Sequence, residues 1–91
     1  MSKILAIFRS SDMSKETYDN VMKDLDKAGL SKVETRTYHC MALNEKGSVV
    51  ADVWDSQEAL NEFFATLGPI LAKNGVNPPP PEIYPVHNVV L

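Results

Sequence analysis

The sequence predicts one α+β domain in the order strand, helix, strand, strand, helix, strand, with a sheet that is apolar on both faces. Three observations carry that expectation. Short apolar or β-branched runs alternate with two longer segments of helical periodicity. A turn signal, Asn44 to Gly47, separates two consecutive β-rich runs. Only two amphipathic segments are present, enough to cover one face of a four-stranded sheet and not the other.

The first element is the run Ile4 to Phe8, bounded by Arg9, Ser10, Ser11 and Asp12. Continuous apolar character over five residues marks a strand buried on both faces, and therefore a central one. A helix follows from an N-cap at Ser14, with Tyr18, Val21, Met22, Leu25 and Ala28 on one stripe and Gly29 as its stop. Val33 to Leu43 and Ser48 to Trp54 then form a β-hairpin. Its favoured connection is a three-residue loop with Gly47 in the left-handed position after a type I turn.

Asp55 is the expected cap of the second helix, with Glu58 three residues on completing a capping box. Leu60, Phe63, Phe64, Leu67 and Leu71 supply its apolar stripe, and Gly75 closes it. Pro69 lacks an amide hydrogen and crowds the preceding turn, so a kink or restart is expected at Gly68-Pro69. Pro78 to Pro81 reads as a stiff extended spacer. It leads into a last strand, Ile83 to Leu91.

The order βαββαβ is that of a ferredoxin-like split βαβ fold, in which both helices pack on one side of an antiparallel sheet. The first, third and last strands nevertheless carry apolar residues on both alternations. A bare apolar face is an aggregation hazard. The economical cover is a second copy, sheet on sheet, giving a homodimer. At 91 residues the chain is a single domain, residues 1–91, that buries only about 60 to 65% of its unfolded surface. Burial against a partner would add to a thin stability margin.

Composition excludes several classes. A net charge of -3 with scattered Lys and Arg gives no basic field, so nucleic acid is not an expected partner. No apolar run reaches membrane-spanning length or signal-peptide form, and a cytoplasmic location is expected. The single cysteine, Cys40, forms no intramolecular disulfide and fits a reducing compartment. His39, Cys40 and His87 lack metal-ligand spacing, so no metal is expected, and the residues suggest no other cofactor.

The stretch Val49 to Leu60, Val-Val-Ala-Asp-Val-Trp-Asp-Ser-Gln-Glu-Ala-Leu, resembles the strand-to-helix junction of dimeric α+β barrel proteins. These include the antibiotic-biosynthesis-monooxygenase-like group and stress-responsive-type small proteins, in which an acidic residue, a Trp two positions later and a small polar cap recur. The element order matches over nearly the whole chain. The resemblance implies a dimeric barrel and, among several activities, cofactor-independent oxygenation of aromatic substrates. The haem-degrading branch places a His in the helix after the Trp, whereas Ser56 to Asn74 contains none.

Alternation puts Val50, Asp52 and Trp54 on one face of the third strand and Val49, Ala51 and Val53 on the other. The purely apolar set is expected to face the helices, leaving Asp52 and Trp54 on the dimer-facing side. A partly desolvated Asp52 suits proton transfer, or is simply a hydrogen-bonded structural group. Trp54 is either a packing anchor or a wall for substrate, together with Tyr38, Phe8 and Val50. The three-residue loop sets Cys40 opposite Asp52 and Tyr38 opposite Trp54. A loop one residue shorter or longer sets His39 there instead, making a His-Asp acid-base unit. Cys40 itself reads as a small buried hydrophobe. His87 on the last strand is either a packed histidine or, pointing inward, a second base. Two functions follow from these residues. One is a cofactor-independent monooxygenase-like enzyme acting on a small apolar or aromatic substrate. The other is a non-catalytic dimeric module that binds a small ligand or serves structurally.

Overall fold

The computed structural model describes residues 3–90. Six elements follow in the expected order: β1 (Ile4–Ser10), α1 (Lys15–Lys27), β2 (Arg36–Asn44), β3 (Gly47–Trp54), α2 (Gln57–Lys73) and β4 (Glu82–Pro85). The four strands make one antiparallel sheet in the order β2-β3-β1-β4, an α+β arrangement compatible with the ferredoxin-like fold. β1 is central, paired with β3 on one side and β4 on the other. This is why its apolar run needs no polar alternation.

Helix starts follow local chemistry. Ser14 accepts a hydrogen bond from the Thr17 backbone N–H at 3.1 Å and caps α1. For α2 the cap is Ser56, which accepts from the Ala59 N–H at 3.1 Å, and not Asp55. Asp55 is occupied elsewhere: its carboxylate takes the Lys3 ammonium at 2.7 Å. Pro69 does not divide α2, which runs as one helix from Gln57 to Lys73. At the far end Asn74 binds both the Ile70 carbonyl (2.8 Å) and the Asp24 carboxylate (3.0 Å), fastening the end of α2 to α1.

The hairpin differs from the favoured three-residue connection. Asn44 pairs with Gly47, so the loop has two residues, Glu45 and Lys46, and the Asn44 side-chain oxygen accepts the Lys46 N–H at 2.8 Å. Gly47 lies at φ +136, and a Cβ there would collide with the carbonyl oxygen of Ser10. The close approach of the β1 end to the hairpin demands glycine as much as the turn does.

The shorter loop sets His39 opposite Asp52, Cys40 opposite Ala51 and Tyr38 opposite Val53. A bulge near Thr37 brings Arg36 opposite Trp54.

The helices cover the face that carries Ile4, Ala6 and Phe8 of β1 with Val50, Asp52 and Trp54 of β3. Trp54 and Ala6 are fully buried there with Val21, Leu25, Leu60, Phe63, Leu71 and Val76. The expectation that Val49, Ala51 and Val53 face the helices is therefore overturned. Both faces of β3 are apolar, so hydrophobicity does not choose between them. The bulky Trp54 fills the volume under the helices, and His39 across the ladder satisfies Asp52.

The uncovered face carries Leu5 and Ile7 of β1, Val49, Ala51 and Val53 of β3, Tyr38, Cys40 and Ala42 of β2, and Tyr84 of β4. Cys40 is exposed, contrary to its reading as a buried hydrophobe. The last strand is also shorter than expected: it ends at Pro85, and Val86 to Val90 carries no regular structure. Leu91 lies outside the described residues. Among the described residues no helix is long and apolar enough to cross a membrane.

Candidate active site

Beneath the helices, Asp52 and His39 occupy directly paired positions on β3 and β2, and both side chains point to the covered face. Asp52 is 4% exposed, and its Oδ1 lies 2.5 Å from His39 Nδ1. The other ring nitrogen, Nε2, lies 2.6 Å from the hydroxyl of Tyr18, which α1 presents from above. The imidazole and phenol rings are nearly parallel, 7° apart. A continuous hydrogen-bonded chain thus runs from a buried carboxylate through an imidazole to a phenol.

Proton positions follow from valence. With Asp52 as a carboxylate it can only accept, so His39 donates from Nδ1. Neutral His39 then has its lone pair on Nε2, where it accepts the Tyr18 O–H. Burial holds the Tyr18 phenol above the ordinary tyrosine range; the Arg36 charge opposes that shift and the Asp52 charge adds to it. Tyr18 is consequently a donor, not a base, at neutral pH. His39 Nε2 is the basic atom of the chain, and Asp52 is placed to stabilise the imidazolium formed when it takes a proton.

The three side chains line a cavity of about 70 Å³ between the sheet and both helices. Arg36 and Ser10 also line it, and its remaining walls are apolar, including Phe8 and Val50 of the sheet, Met13 before α1, Met22 on α1, and Phe63 and Leu67 of α2. Val76 and Pro78, at the start of the proline-rich segment, close one side. A dry cavity that holds a single benzene ring measures roughly 150 Å³. This one admits only a smaller body unless its walls move. Met13 and Met22, flexible and unbranched, are the walls best able to do so.

Of the residues singled out in the sequence, the structure brings Asp52, His39, Phe8 and Val50 to this cavity. Trp54 is fully buried and packs on Phe63 at 5.0 Å between ring centroids, outside the lining. Tyr38 lies on the uncovered face, 44% exposed. His87, expected to have one buried side on a longer last strand, is exposed in a bend beyond β4. Among the described residues no group of three or more His, Cys, Asp or Glu side chains converges to hold a metal ion.

Two residues escaped the sequence reading. Tyr18 reads from its spacing as packing on the apolar stripe of α1; the available signal is that a phenol on a core-facing stripe needs a partner for its hydroxyl. Arg36 carries no sequence signal of its own, because its inward direction depends on the bulge near Thr37, which nothing local announces.

Compared with known proteins, the chain has no match: no family model, no curated protein and no solved structure matches it. The fold and the site therefore stand on their own geometry.

Proposed function

We propose that the chain is a small enzyme that removes a proton from a small apolar or aromatic substrate held between sheet and helices. The observation that carries this is the unbroken Asp52–His39–Tyr18 chain opening onto a largely apolar cavity. A substrate hydroxyl or acidic C–H placed at Nε2 passes its proton to His39 while Asp52 stabilises the cation. The displaced Tyr18 hydroxyl then donates to the substrate oxygen.

The resemblance to dimeric α+β barrel monooxygenases gives this chemistry a specific form. A substrate with an acidic CH₂ between electron-withdrawing groups, once deprotonated, is electron-rich enough to reduce dioxygen. The sequence CH₂ + O₂ → C=O + H₂O balances without an outside reductant or any cofactor. Phe8 and Val50 would flank the substrate. Trp54 would support the wall from behind.

In the same proposal the protein works as a homodimer through its uncovered sheet face. The single chain exposes 6055 Å². A folded monomer of its mass exposes about 5,300 Å² by the usual scaling of surface with mass. The excess, roughly 750 Å², is close to the share of about 800 Å² that each partner contributes to a standard interface. Tyr38 and Tyr84 on that face, with Val89 and Val90 beyond β4, are the exposed large apolar side chains available to it. Tyr38 and His87 then belong to the interface rather than to the proton-transfer cavity. The exposed thiol of Cys40 accords with a reducing, cytoplasmic setting.

The size of the cavity favours one other reading, a non-catalytic module in which the three polar side chains satisfy one another. Oxygen uptake with activated-methylene aromatic substrates separates the two. Catalysis should fall about 10²–10⁴-fold in His39→Gln and in Asp52→Asn, with folding retained by circular dichroism. No turnover by the wild type with any such substrate supports the binding module, and equal turnover by all three proteins would remove His39 and Asp52 from the chemistry.

A further inference from the structure

Arg36 is the one cation among the described residues that line the cavity, and Asp52 is the one carboxylate. The two do not neutralise each other. Asp52 is engaged by His39 Nδ1, and among the described residues no carboxylate lies within ion-pair distance of Arg36. The guanidinium is instead held by two aromatic faces, 5.7 Å from the Trp54 ring centroid and 5.4 Å from that of Phe63.

This is an unusual place for a lone arginine. It is only partly exposed, and it sits opposite Trp54 in the ladder beside the bulge that turns it inward. Cation–π contact with Trp54 and Phe63 holds the guanidinium without using its N–H donors, which are left for something else. A rigid fork of N–H donors fits a planar anion with two oxygens better than any other partner.

Resting on the proton-transfer reading of the same cavity, we infer that Arg36 is the anion-recognition residue of the site and that the ligand is a small apolar carboxylate. The carboxylate engages the Arg36 fork. The apolar body lies against Phe8, Val50 and Leu67, and the far end reaches the Tyr18–His39 pair. Tyr18, whose hydroxyl lies 2.6 Å from His39 Nε2, meets the far end and leaves recognition of the anion to Arg36. A neutral ligand of the same shape leaves the fork unpaired and loses that contribution.

The test needs no turnover, so its failure is distinct from failure of the catalytic reading. Acetate, butyrate and benzoate are each titrated against the corresponding neutral amide at pH 7. Binding is followed by the fluorescence of the single Trp54, which lies under Arg36, and by the ring signals of Tyr18 and His39. Within at least one pair the carboxylate should bind tenfold or more tightly than the amide. The preference should vanish in Arg36→Gln, persist in weakened form in Arg36→Lys, and survive Asp52→Asn. In Arg36→Gln the Tyr18 phenol should also ionise at higher pH than in the wild type, which shows that the variant is folded with its cavity intact. Equal binding of acid and amide, a carboxylate preference that survives Arg36→Gln, or no binding of any carboxylate at millimolar concentration would each overturn the assignment.

Discussion

The two faces of this sheet are built from alternate residues of the same strands, yet they solve opposite problems. Under the helices, β3 offers Val50, Asp52 and Trp54, and the space is closed by large side chains around one polar chain. On the other side it offers Val49, Ala51 and Val53, away from both helices; Val53 is buried and the other two are half-buried. A buried carboxylate is tolerated only where its hydrogen-bond partner is guaranteed. The His39–Asp52 pairing supplies that guarantee on the covered face. The uncovered face is confined to groups that lose little by burial, with the Arg9–Glu82 ion pair at its margin.

The largest expected difference between the faces is in stability. Trp54→Ala empties a fully buried site beneath Phe63 and should cost about 3–5 kcal/mol in denaturant unfolding. Tyr38→Ala on the uncovered face should change the unfolding of the isolated chain by no more than about 0.5 kcal/mol. Comparable losses at both positions in a monomeric preparation would remove the distinction.

Association comes next. Ala51→Arg sets a charge at the centre of the uncovered face, where an unpaired buried charge costs several kcal/mol. Sedimentation should show a dimer for the wild type and, for the variant, a dissociation constant raised on the order of a hundredfold or more. A wild type that is monomeric at micromolar concentration would leave the sheet face without its proposed function.

A smaller effect is expected at the polar chain. Asp52→Ala leaves the His39 N–H unpaired in a half-buried site and should cost about 1–3 kcal/mol. Asp52→Asn retains an acceptor and should cost less.

The smallest effect is a titration. Burial raises the Tyr18 phenol, so the folded chain holds that proton more tightly than the unfolded chain. The stability this contributes is fully present below the ordinary tyrosine value and is lost as pH rises through it toward the folded value. Tyr18 should therefore ionise late in an ultraviolet titration, and earlier in Asp52→Asn, where a neighbouring negative charge is gone.

Element order and most boundaries were legible because they rest on local signals: the Ser14 cap, the β-rich runs, the helical stripes. The α2 cap is not legible because Asp55 and Ser56 are both competent; the helix starts at Gln57, which gives the cap to Ser56 and leaves Asp55 to pair with Lys3. The hairpin register was not legible because Gly47 satisfies a three-residue loop as well as the close approach of Ser10 seen here. That single residue of slip separates a His39–Asp52 pair from a Cys40–Asp52 pair. The facing of β3 failed for a different reason. Apolarity predicts which residues avoid water, but on a sheet apolar on both sides it does not say which side the helices take. Tyr18 and Arg36 became visible only once strand pairing and the bulge had set them around the same space.

The central claim is that the covered face holds a directed proton relay, and the ring nitrogens of His39 report on it most directly. The chain has two histidines, and His87 is exposed, so ¹⁵N spectra distinguish an averaged ring from a fixed one. His39 should appear at neutral pH as a single tautomer, protonated on Nδ1 and accepting at Nε2, and Asp52→Asn should abolish that preference. A wild-type His39 protonated on Nε2, or averaging between tautomers like His87, would contradict the account.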